Sequence, residues 1–135
     1  MFWLSHHRED EYNRTYVLGG VRVCARCLGT YPMLMAALVG LFVLKAPLHW
    51  RWDVPAVLGL TLPALVDWAL GRFRPSGGTN WVRTVTGVLL GVALGRSLYV
   101  HIQRPLPPVL LTQAALVTAV AVPVILATYR RPRPG

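Results

Sequence analysis

The chain has 135 residues, room for one domain, with 54% hydrophobic and only 14% charged residues. Soluble domains carry roughly 25% charged residues, so the composition excludes a disordered tail, a coiled coil and a disulfide scaffold, and points to a membrane protein. Lys and Arg total 14 against 5 Asp and Glu, a net charge of +9; in a membrane protein such residues flank the spans and fix their orientation, so no nucleic-acid partner is expected.

Reading from the start, Ser5 to Arg14 is polar and no apolar core precedes it, so no signal peptide is expected near Met1. Thr15-Tyr16-Val17-Leu18 and Val21-Arg22-Val23-Cys24 flank Gly19-Gly20. Two β-rich runs around a two-residue glycine turn predict a hairpin. Four apolar stretches follow: Leu28 to Leu44, Val54 to Leu70, Val82 to Val100 and Pro108 to Thr128. A spanning helix needs about 20 residues, with a range of roughly 17–25, so each can cross a bilayer. Pro123 should kink the fourth. The expected fold is therefore an all-α membrane protein, a four-transmembrane-helix bundle with a short N-terminal cytoplasmic β-hairpin. Residues 1–27 form the N-terminal segment, 28–128 the transmembrane domain and 129–135 a basic, proline-rich tail.

Four spans put both termini on one side of the membrane. Ten basic residues fall on that side, against Lys45, Arg51, Arg96 and Arg104 on the other. The excess of positive charge makes the hairpin side cytoplasmic, in the cell inner membrane. Trp50, Trp52 and Tyr99 at the far side, and Trp68, Trp81 and Tyr129 at the hairpin side, read as interfacial anchors.

Chemistry could reside in three places. The only cysteines form Cys24-Ala25-Arg26-Cys27. In a reducing compartment such a pair is more often a metal or redox pair than a lasting disulfide. Cys24 and Cys27, with His7 and possibly His6, make a plausible zinc or other transition-metal set. Redox-active thiols, or two small buried apolar side chains, are the alternatives. Asp67 sits inside the second span, where a carboxylate is costly and normally has a partner. Gly59, Pro63, Asp67 and Gly71 share a helix face, and span three carries the matching series Arg83, Gly87, Gly91, Gly95. Pairing of spans two and three would bring Asp67 to Arg83, either as a structural ion pair or as a ligand, base or anion clamp. Thr79-Asn80 can cap span three, and that helix start with Arg72, Arg74 and Arg83 is a competent site for a lipid phosphate.

Several of these residues also resemble a known pattern. His7, Arg14-Thr15-Tyr16 and Val23-Cys24-Ala25-Arg26-Cys27-Leu28-Gly29-Thr30-Tyr31 look like the CARCxGxY signature of a small prokaryotic membrane-protein family, domain of unknown function two thousand and eighty-five. Pro63 to Asp67 and Thr79 to Gly87 resemble its second motif. The resemblance implies a small multi-span protein and no particular activity. The family opens with Cys-His and Arg-Ser where this chain has His6-His7 and Arg14-Thr15; the exchange keeps a metal ligand and removes a thiol.

The expectation is a polar site on the cytoplasmic face, metal-binding through Cys24, Cys27, His7 and His6. Asp67, Asn80, Arg83, Arg14 and Arg26 would form an anion pocket or support the ligands. An ion with an open position near Asp67, the candidate catalytic residue, could activate water for a lipid-linked phosphate substrate. A thiol-redox protein remains an alternative, as does a small transporter, for which only Arg96, His101 and Gln103 mark a path to the far side. No Ser-His-Asp order, phosphate loop or dinucleotide fingerprint is present. Beyond the bilayer, a homo-oligomer stays open.

Overall fold

A computed structural model describes residues 13–74 and 78–130. The elements run β1 (Thr15–Leu18), β2 (Val21–Cys24), α1 (Ala25–Val43), α2 (Trp50–Phe73), α3 (Asn80–Gln103) and α4 (Pro108–Tyr129). Among the described residues, four helices are long and apolar enough to cross a membrane. At 1.5 Å per residue the 19-residue α1 is about 28 Å long, close to the hydrocarbon thickness of roughly 30 Å.

The hairpin forms as its sequence directs. β1 and β2 pair antiparallel, with Thr15 opposite Cys24 and Leu18 opposite Val21. Gly19 and Gly20 take φ of 56° and 82°, the doubly positive pair of a type I′ turn. β2 then runs straight into α1, so Cys24 ends the strand and caps the helix. At its other end α1 closes with Lys45 N–H donating to Phe42 O at 3.2 Å and Ala46 N–H to Leu41 O at 3.0 Å. That is a Schellman motif with Lys45, at φ 48°, in the place usually held by glycine.

The helix order in space is not the order in sequence. α3 is the most buried helix and packs against α1 on one side and α2 on the other, while α4 packs chiefly on α2. The glycine series of α3 faces α1, which corrects the expected seam with span two. A Cβ at Gly87 would lie 2.5 Å from Arg26 O, one at Gly91 2.5 Å from Thr30 O, and one at Gly95 2.9 Å from the Ala37 Cβ. Gly29 of α1 answers across the seam, against the Thr84 and Val88 backbone. The contacts advance together along both helices, so α1 and α3 run parallel. In lipid, where helices gain little from hydrophobic burial, such close backbone approach is a main source of packing energy. Gly59 of α2 has no neighbour within 4 Å of an added Cβ and is exposed, so the Gly59–Gly71 face is not a packing seam along its length.

Away from the hairpin, three polar devices among the described residues tie the bundle. Asp53 is buried, and Arg96 grips it with a fork, Nε to Oδ1 at 2.8 Å and Nη2 to Oδ2 at 3.0 Å. Arg96 Nη2 also donates to Pro47 O at 2.6 Å, fastening the α1–α2 connection. Tyr99, expected at the membrane interface, is instead 2% exposed. Its hydroxyl donates to Ala46 O at 2.8 Å and its ring meets Phe42 edge-on. In the interior, Ser97 donates to Gln113 Oε1 at 2.6 Å, and Gln113 Nε2 donates to Thr61 Oγ1 at 2.9 Å. This joins α3, α4 and α2 through one amide. Trp52, Trp81 and Tyr129 are exposed, as interfacial anchors should be.

Candidate functional site

The hairpin, the start of α1, the end of α2 and the start of α3 meet at one end of the bundle, because the parallel α1–α3 seam brings both helix starts together. β1 is stitched to α3: Asn80 Nδ2 donates to Thr15 O at 3.4 Å, and the Tyr16 and Thr84 hydroxyls lie 3.2 Å apart. Thr84 Oγ1 also lies 3.1 Å from Ala25 O, locking the Cys24–Cys27 turn onto α3.

Charged groups converge on this junction. Arg26 Nη2 donates to Asp67 Oδ2, joining α1 to α2. Arg14 Nη2 donates to Gly71 O at 2.8 Å, placing a cation on the carbonyls that end α2. Arg83 is 6% exposed, with Nη1 donating to Asn80 Oδ1 at 3.2 Å. Arg14, Asp67, Arg26 and Cys24 all lie within electrostatic range of Arg83. Gly78 completes the wall, since a Cβ there would sit 3.4 Å from Arg83 Nη2 and 3.9 Å from Asp67 Oδ1. Thus three guanidinium groups and one carboxylate share the junction among the described residues. Arg26 Nε is buried and has no hydrogen-bond partner among them.

The expected Asp67–Arg83 pair is therefore redrawn. Both residues share the junction, but the hydrogen-bonded ion pair of Asp67 is with Arg26. Hydropathy and spacing gave no sign of this, because they do not reveal that α1, rather than α2, lines the glycine face of α3. Thr79 serves as the cap of α3, its Oγ1 accepting from Val82 N–H at 3.4 Å, while Asn80 turns toward Arg83 and Thr15. Arg72 lies over the Trp68 ring, 5.7 Å from its centroid, and Arg74 is exposed, so neither belongs to the cluster.

The thiols sit at the edge of the same junction. Cys24 is buried and Cys27 half-buried, and both are thiols free of a disulfide. His6 and His7 lie outside the described residues. Among the described residues no group of three or more His, Cys, Asp or Glu could hold a metal ion. On the far side, Arg96 is held by Asp53, and His101 Nδ1 accepts from Leu106 N–H at 3.1 Å.

Residues 7–96 match a family described as "predicted membrane protein (DUF2085)". The chain belongs to this family. The matched DUF2085 segment covers the hairpin, α1, α2 and most of α3, and so contains every residue of the junction described above. No curated protein and no solved structure matches the chain.

Proposed function

We propose that this multi-pass membrane protein binds a phosphate-bearing lipid headgroup at the hairpin end of its bundle, on the cytoplasmic face of the inner membrane. The observation that carries the reading is the gathering of Arg14, Arg26 and Arg83 at one junction, with Asp67 the carboxylate there among the described residues. Guanidinium forks suit phosphate oxygens, and three of them share this junction. Arg26 Nε offers a buried N–H for an acceptor. The apolar side chains of Trp81, Val82 and Val85 are exposed on the helix that carries Arg83, where acyl chains would lie. The cytoplasmic assignment rests on the excess of arginines at this end.

The test is thermal unfolding of the detergent-purified protein with dioleoyl phosphatidic acid, dioleoyl phosphatidylcholine or inorganic phosphate added. Ligand that binds only the folded state raises its stability. Phosphatidic acid should raise the midpoint most, and Arg26→Gln and Arg83→Gln should abolish the gain, whereas Arg104→Gln at the far end should keep it. Equal shifts with both lipids would refute the reading, and a shift with inorganic phosphate alone would assign the site to a soluble anion.

A further inference from the structure

Beyond the anion site, and independent of it, we infer that Cys24 and Cys27 form a thiol–disulfide exchange site. Cys24 holds the N-cap position of α1 and Cys27 lies in its first turn. Residues three apart on a helix are neighbours, with Cβ atoms about 5–6 Å apart, and rotation about the side-chain bonds of the capping residue can shorten this toward the roughly 3.5–4.5 Å of a disulfide. Both thiols are free of a disulfide, Cys24 buried and Cys27 half-buried. The backbone they stand on is held from outside the turn: Thr84 Oγ1 binds Ala25 O at 3.1 Å, and Thr30 Oγ1 donates to Arg26 O at 2.9 Å. Closure therefore needs side-chain rotation and no unwinding of α1. A divalent cation fits this position less well. Arg26 acts electrostatically on Cys27, and Arg83 on Cys24, and both are positive.

The partner is a disulfide substrate. Cys27 is the more exposed of the two and attacks first. Its thiolate sulfur bonds to one sulfur of the substrate, the substrate S–S bond breaks, and one thiol leaves. Cys24 then attacks the Cys27 sulfur, forming the intramolecular disulfide and expelling the second thiol. The pair loses two electrons, the substrate gains two, and the two cysteine protons end on the two released thiols.

The experiment equilibrates the purified protein in detergent with reduced and oxidised glutathione at varied ratios. Free thiols are then trapped with a maleimide and counted by intact mass. The expected result is one transition in which both thiols become protected together, with no cross-linked dimer on a non-reducing gel. Cys24→Ser should accumulate a mixed disulfide between Cys27 and glutathione, whereas Cys27→Ser should react at least tenfold more slowly. Elemental analysis of the wild-type protein accompanies the titration. Thiols that stay free at the most oxidising ratio would overturn the inference. So would a disulfide only between chains, or a stoichiometric metal ion lost from the doubly substituted Cys24→Ser, Cys27→Ser protein. Arg26→Gln should leave the two-thiol transition in place even where it abolishes lipid binding, so the two proposals fail separately.

Discussion

Arg26, in the first turn of α1, and Asp67, near the end of α2, form an ion pair that bridges two helices flanking α3. Their side chains are 22% and 13% exposed. A pair at this depth lies between exposed ion pairs, worth about 0–1 kcal/mol, and buried ones, whose breaking costs about 3–5 kcal/mol. Loss of Asp67 alone also leaves three arginines at a junction with no other acid among the described residues. Arg26→Gln and Asp67→Asn should each destabilise by about 1–3 kcal/mol, and the double variant should lose less than the sum. A double-mutant cycle read by unfolding in mixed detergent micelles checks this. The parallel cycle of Asp67→Asn with Arg83→Gln should give the smaller coupling, because Arg83 binds Asn80.

The glycine seam yields a graded series. At Gly91 a Cβ would meet the Thr30 carbonyl at 2.5 Å, and backbone cannot give way cheaply. Gly91→Val should therefore separate α1 from α3 and cost about 1–3 kcal/mol or more. Gly87→Val should also open the junction, since its obstruction is the Arg26 carbonyl. Gly59→Ala is the control: the site is open, and alanine's better helix propensity should add up to about 1 kcal/mol. Micellar unfolding ranks the three.

How far the fold could be read beforehand follows from which forces are local. The hairpin was legible to the residue, because Gly19-Gly20 decides its turn and the flanking strands follow. The four crossings were legible too, since length and apolarity belong to each segment alone. Helix neighbours were not. The glycines at 87, 91 and 95 announce a close contact without naming the partner, and only the complementary Gly29, Thr30 and Ala37 of α1 decide it. The same gap hid the Arg26–Asp67 pair and made Tyr99 look interfacial. Its hydroxyl is satisfied by Ala46 O, from a loop 53 residues of chain away. The junction's membership was nevertheless largely visible. Topology places Cys24, Cys27, Asp67, Asn80 and Arg83 at one end whichever helices touch.

The far-side clamp distinguishes fork geometry from charge. Arg96 satisfies both Asp53 oxygens and Pro47 O, and its guanidinium stacks 5.5 Å from the Tyr99 ring centroid. Lysine supplies the charge without the planar fork. Arg96→Lys should recover less than half of the stability lost in Arg96→Gln, itself about 3–5 kcal/mol because Asp53 stays buried without its partner. Unfolding midpoints measure the loss, and limited proteolysis at the α1–α2 connection should report its release in both variants.

Gln113 tests how much a polar contact contributes inside the bundle. It is 3% exposed and accepts from Ser97 while donating to Thr61. Thr61 Oγ1 also donates to Val57 O at 2.7 Å, so its hydroxyl keeps a partner when the amide is removed. Ser97 has no such second bond among the described residues and would have to turn toward a backbone carbonyl. Interhelical hydrogen bonds in membranes average about 0.6 kcal/mol, with a maximum near 1.7. Gln113→Leu, which preserves volume, should therefore cost about 1–2 kcal/mol, whereas Gln113→Ala should cost more by the cavity it leaves. Adding Ser97→Ala to Gln113→Leu should cost less than Ser97→Ala alone, since the serine then has no amide to lose. If the two losses simply add in micellar unfolding, α4 is held to the bundle by apolar packing and the amide bridge contributes nothing of its own.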